Sequence, residues 1–206
     1  MKGIRQSVGL FSIILLTLAT IPSLAIAKGR DFSKSEMDKL ERGGLVKRQT
    51  VQERGGLRLT GGTSWQIISA SPEDVWKTIT NTNKYKYIFP FVVSAKLLKQ
   101  KGSKRIVLLE HAKGPLSVSY ALLGVTEEDK KELTFQLDTS RPHDIKAAWG
   151  FFTVRPWKDG KSILSYGIML DTGDGFFKSM LREQISNTVL NVPRRIRRYI
   201  HEQKKT

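Results

Sequence analysis

Few side chains in this sequence suit chemistry. Cysteine is absent, and histidine occurs only as His111, His143 and His201. Thiolate nucleophiles, disulfides, iron–sulfur clusters, lipid attachment at an N-terminal cysteine and cysteine-based zinc sites are therefore excluded. No histidine stands at metal-ligand spacing from another, so most zinc hydrolases go too and no metal is expected. An acid or base for catalysis would have to come from His111, Asp138, Arg141, His143 or Tyr166. Of these, only Tyr166 shares a face with apolar strand residues, and a buried tyrosine with a satisfied hydroxyl explains it. His111 and His143 stand beside Lys113 and Pro142 in turn-like sequence, where exposed histidines are expected. No Ser-His-Asp order, Gly-x-Ser-x-Gly elbow, phosphate loop or His-Glu-x-x-His is present, and Gly61-Gly62 lacks the third glycine and helix of a nucleotide loop. No catalytic residue and no cofactor are assigned. Binding is favoured over catalysis, which stays open.

Charge is the other chemical resource. Thirty-five Lys and Arg face 19 Asp and Glu in 206 residues, a net +16. Arg194, Arg195, Arg197 and Arg198 crowd into five positions. Such a cluster is either a solvated helix end, favoured by the helix dipole at ~0.3–1 kcal/mol per cation, or a contact for anionic lipid headgroups. Nucleic acid is set aside, because no recognition motif is visible and the N-terminus points to export.

That N-terminus runs from Lys2 and Arg5 through an apolar stretch at residues 10–19 to Pro22 and Ala25-Ile26-Ala27. This is the charged, apolar, small-residue order of a secretory signal over residues 1–27, with cleavage expected after Ala27 and a periplasmic or secreted product. The alternative is an uncleaved inner-membrane anchor using the twenty residues 8–27.

What must position the chemistry is an α+β domain, since a hydrophobic fraction of 39% with nine Phe, five Tyr and four Trp excludes a disordered basic tail and supplies a core. Residues 28–44 read as an arm with a short helix over 33–42 that stops at Gly43-Gly44. Glu-Arg-Gly-Gly-Leu occurs at 41–45 and again at 53–57, each copy leading into strand-like sequence, so the glycines mark turns. Ser71-Pro72-Glu73-Asp74 opens a helix with a hydroxyl cap, a first-turn proline and two acids. From Val92 to about Leu170 the apolar period is two, clearest in Leu116, Val118, Tyr120, Leu122, in Leu133, Phe135, Leu137, and in Leu164, Tyr166, Ile168, Leu170. After Gly175 the period returns to 3.6, and Phe177, Leu181, Ile185, Val189, Val192, Ile196 and Ile200 form one stripe of a long helix that Pro193 is expected to kink.

This order describes a curved antiparallel sheet wrapped around a long C-terminal helix, with two short helices after the first strands. A single helix gripped by a bent sheet leaves a hollow. By strand parity its walls are Leu116, Val118, Tyr120, Phe135, Tyr166 and Ile168, with Phe177, Leu181 and Ile185 from the helix.

Ala70-Ser71-Pro72-Glu73-Asp74-Val75-Trp76, Phe89-Pro90, and Ser165-Tyr166 in the last strand before Asp171 carry a resemblance. Over residues 45–206 the chain resembles the START-like, Bet v 1-like (SRPBCC) superfamily, in its polyketide-cyclase and coenzyme-Q-binding branch. The resemblance implies a helix-grip fold around an apolar cavity that binds a lipid, quinone or polyketide-like molecule. The functional expectation is an exported carrier whose basic surface touches anionic membrane. The alternatives are a cyclase or aromatase using the same cavity, or a cell-envelope adaptor without a small ligand. Oligomeric state is not legible.

Overall fold

The computed structural model describes residues 32–173 and 188–205. The expected signal segment, and Phe177, Leu181 and Ile185, lie outside the described residues.

Local chemistry sets each boundary. Helix α1 (Lys34–Glu41) opens on a capping box, in which Ser33 Oγ accepts from the Glu36 amide and Glu36 accepts from the Ser33 amide. Glu36 also receives Arg48 at 2.9 Å. That hydrogen bond, with the one from Ser33, holds the Glu36 carboxyl down to about 2. The first Gly-Gly pair ends α1, with Gly43 at φ 77°. The second, Gly55-Gly56, makes the turn between β1 (Val46–Arg54) and β2 (Leu57–Ile68), both glycines at positive φ. Helix α2 (Pro72–Thr80) starts as its sequence predicts, with Ser71 Oγ accepting from the Asp74 amide at 3.1 Å and Pro72 in the first turn. A short 3₁₀ turn and α3 (Tyr85–Ile88) follow.

Six strands come next: β3 (Val92–Lys101), β4 (Lys104–Lys113), β5 (Leu116–Glu127), β6 (Glu132–Leu137), β7 (Ala147–Pro156) and β8 (Ser162–Asp171). All eight form one curved antiparallel sheet in the order β1-β2-β8-β7-β6-β5-β4-β3. The early hairpin therefore joins the last strand, with Thr60 paired to Leu170 and Ile68 to Ser162. Gly61 and Gly62 serve this junction. A Cβ on Gly61 would stand 1.8 Å from the Ile168 carbonyl oxygen, and one on Gly62 would stand 2.1 Å from that of Arg48. They are sites of close backbone approach on a bent strand.

The C-terminal helix α4 (Val192–Gln203) buries Val192, Ile196 and Ile200, one position per turn, against the core. That core also takes Trp76 and Ile79 from α2, Tyr85 and Ile88 from α3, and Phe152, Leu164 and Tyr166 from the sheet. Burying each such side chain contributes ~1.5–3 kcal/mol. The expected kink at Pro193 is corrected. Residues 188–189 are helical, a turn intervenes at 190–191, and a new helix begins with Pro193 in its first turn. A proline ring clashes with the carbonyl four residues back and lacks an N–H, and the first helical turn is where neither matters.

Residues 33–206 form one compact unit, and α1 is packed into it. Leu40 is fully buried, and Gln66 Nε2 donates to the carbonyls of Gly43 and Gly44. No helix among the described residues is long and apolar enough to cross a membrane.

Candidate functional site

Strand pairing places alternate residues of neighbouring strands on the concave face. On β4 these are Arg105, Val107, Leu109 and His111; on β5 they are Val118, Tyr120 and Leu122, with Leu109 opposite Tyr120 and His111 opposite Val118. They line a cavity of about 140 Å³, with Phe89, Phe152, Val189 and Val192 also in its wall. Engineered apolar cavities of about this size stay dry and take up benzene. Gly150 makes room on β7: a Cβ there would stand 2.5 Å from the Phe135 ring, so its absence lets that ring lie in the wall.

Of the residues expected at the cavity, Val118, Tyr120, Phe135, Tyr166 and Ile168 all line it. Leu116 opens β5 in the same parity, but its side chain lies outside what is described, as do Phe177, Leu181 and Ile185.

The wall is apolar except at a few points, and the main one corrects the sequence reading. His111 is not in an exposed turn; it sits inside β4 and faces the cavity. Its Nδ1 lies 3.1 Å from the Pro90 carbonyl and its Nε2 lies 2.9 Å from the Tyr120 hydroxyl. A carbonyl only accepts, so Nδ1 carries the proton and the bare Nε2 accepts from Tyr120. The two rings stack at 5.4 Å. Burial holds the His111 imidazole below its ordinary value and pushes the Tyr120 and Tyr166 hydroxyls far above theirs. At neutral pH the group is uncharged. The signal that locates His111 is the hairpin turn at Lys113-Gly114-Pro115: counting outward from it sets His111 opposite Val118.

Tyr166 supplies a second correction. It is 2% exposed and packs on Phe152 at 4.6 Å between ring centres, yet its hydroxyl has no hydrogen-bond partner among the described residues. Arg105 closes the far end of β4. Its Nη1 donates to the Thr80 carbonyl at 2.6 Å and its Nη2 to Thr82 Oγ1, so the cation caps the C-terminus of α2. The other catalytic candidates lie off the cavity. Asp138 binds Ser140 and Arg141 within the β6–β7 connection, and His143 Nδ1 pairs with the Ile145 carbonyl at 2.8 Å.

The arginine cluster divides. Arg195 Nη2 donates to the carbonyls of Tyr87 and Phe89, and Arg197 Nη1 to that of Gly43, so these two fasten α4 to its neighbours. Arg194 and Arg198 are exposed, the latter 3.9 Å from Glu202.

The neutral imidazole has a consequence for acid stability. A depressed folded-state value means that His111 contributes fully above its unfolded value of about 6.5, and that the contribution is lost as pH falls through the folded value. The melting temperature of the protein should therefore drop below about pH 6.5, and that of His111→Gln should drop less over the same window. Parallel melting curves for the two proteins would refute the buried neutral assignment.

The fold and cavity can be set beside known proteins. A family model described as polyketide cyclase / dehydrase and lipid transport matches residues 68–192, more than half of the chain. The chain belongs to this family. The match to the polyketide cyclase and lipid transport family takes in α2, α3 and β3 to β8, and so every strand that lines the cavity. No curated protein matches the chain. Several solved structures share the family's START-like fold. A STAR-related lipid transfer protein from Xanthomonas axonopodis superposes with TM-score 0.57 at 14% identity, over 74% of this chain and 98% of the other. The Zhui aromatase/cyclase from Streptomyces sp. R1128 gives 0.57 at 10%, over 71% and 94%. TTHA0849 from Thermus thermophilus gives 0.58 at 12%, over 68% and 97%. At such identities the likeness concerns the fold.

Proposed function

We propose that the protein is an exported carrier for an apolar small molecule, a lipid, quinone or polyketide-like compound, held in the cavity between sheet and C-terminal helix. The observation that carries this reading is a hollow with a largely apolar wall beneath α4, in a family described by lipid transport and polyketide cyclisation. Affinity would come from apolar burial, at roughly 25 cal/mol per Å² removed from water, and needs no covalent step. Export rests on the order of residues 1–27. The net charge of +16, with Arg194 and Arg198 open to solvent, suits contact with anionic membrane during loading. Native mass spectrometry of the purified chain, followed by solvent extraction, should release an apolar guest. A protein reproducibly free of any guest and indifferent to added lipid would end the carrier reading.

One observation favours a second reading, a cyclase or aromatase. The Tyr120–His111 pair is a titratable group in a largely apolar pocket, with the Pro90 carbonyl fixing its tautomer. In that case His111→Gln would abolish turnover of a bound polyketone while leaving its binding in place.

A further inference from the structure

We propose that the cavity selects a guest carrying an uncharged acceptor oxygen, such as a ketone, quinone or ester carbonyl, and that the Tyr166 hydroxyl is the donor that receives it. This rests on the carrier reading and names the chemistry of the guest's head.

The inference follows from asking where each polar group of the wall spends its hydrogen bonds. Tyr85 donates to the Ile79 carbonyl at 3.1 Å. Tyr120 donates to His111, and His111 donates to Pro90. Arg105 gives both terminal nitrogens to Thr80 and Thr82, and its Nε, which has no hydrogen-bond partner among the described residues, is buried away from solvent. Lys113 lies over the Phe91 ring, which is itself partly exposed. Thr172 and Thr188 also line the cavity but are only half-buried; Tyr166 is deeply buried, lines the cavity, and its hydroxyl makes no hydrogen bond among the described residues. A donor that faces the cavity and has no protein partner is free to bond a guest acceptor, a gain of about one net hydrogen bond.

Charge decides between kinds of acceptor. Tyr120, which interacts with Tyr166, is itself paired to a neutral imidazole, and the one buried guanidinium in the wall is turned toward α2. A carboxylate brought there would be an unpaired buried charge, which is heavily penalised. A carbonyl needs one donor and no counter-charge.

Three probes of nearly the same shape separate these cases: acetophenone, isopropylbenzene and benzoate. Each is titrated into the full chain at pH 7.5 and followed by NMR. Acetophenone should bind about five-fold more tightly than isopropylbenzene, the effect of one net hydrogen bond, and benzoate should bind more weakly than both. In Tyr166→Phe, which keeps the ring on Phe152, the advantage of the ketone should vanish while isopropylbenzene binds as before. Equal binding of ketone and hydrocarbon to the unaltered protein would overturn the proposal and leave the carrier reading standing. So would benzoate matching acetophenone, or a ketone preference that survives Tyr166→Phe. Failure of all three probes to bind would overturn both. If Tyr166→Phe does not fold, the ranking on the unaltered protein still decides.

Discussion

Val118→Trp should abolish uptake of an apolar guest without lowering stability. Val118 lies in the cavity wall on β5, opposite His111. An indole in place of an isopropyl group would take up much of a space of about 140 Å³. In a filled core, enlarging a side chain costs ~1–3 kcal/mol because neighbours must leave their rotamers. In a hollow it costs little and can stabilise by filling the void. The expected outcome is a fall in affinity on the order of 100-fold, about 2.7 kcal/mol, read by calorimetry, with a thermal midpoint at or above that of the parent. A variant destabilised as a packed core would be, or one that still binds its guest unchanged, would remove the cavity from the account.

Phe152→Ala should have the opposite profile, a large loss of stability. Phe152 is 1% exposed and contacts three other rings, with centroids 4.6 Å from Tyr166 and 6.1 Å from each of Phe89 and Phe135. It thereby joins β6, β7, β8 and the segment after α3 under one cavity wall. Truncations of this kind cost ~3–5 kcal/mol, from lost transfer free energy and from the new void. Denaturant melts should show that loss, with the slope unchanged if the folded state stays intact. A loss below about 1 kcal/mol, as at exposed sites, would mean that the four rings do not form the keystone described.

Most of the scaffold was readable because its signals are local. Ser33, Ser71 and Pro72 announce helix starts through hydrogen bonds that span three residues. The paired Gly-Gly steps announce turns through positive φ. Alternation along β5, β6 and β8 brought Val118, Tyr120, Phe135, Tyr166 and Ile168 to one side, because side chains on a strand alternate by geometry alone. What escaped was information held in pairing between distant segments. His111 looked like a turn residue because Lys113 and Gly114 are near in sequence; its true neighbours, Pro90 and Tyr120, come from two other segments. The bare hydroxyl of Tyr166 was equally invisible, since a missing partner has no sequence pattern. Strand β7 hid its register because Ala148, Gly150, Phe152 and Thr153 are buried on both faces, which erases the alternation. Arg195 and Arg197 looked like free surface charge, and their acceptors are backbone carbonyls, which no composition reveals.

The joining of β2 to β8 has a bearing on how the molecule assembles. Thr60 cannot meet Leu170 until nearly the whole polypeptide is available, so the sheet is sealed by its final strand. Contacts of such high sequence separation slow folding, because the entropy of closing the loop is lost before the pairing returns it. A chain truncated before Ser162 would leave the inner margin of β2 unpaired, a template for aggregation rather than a smaller working domain.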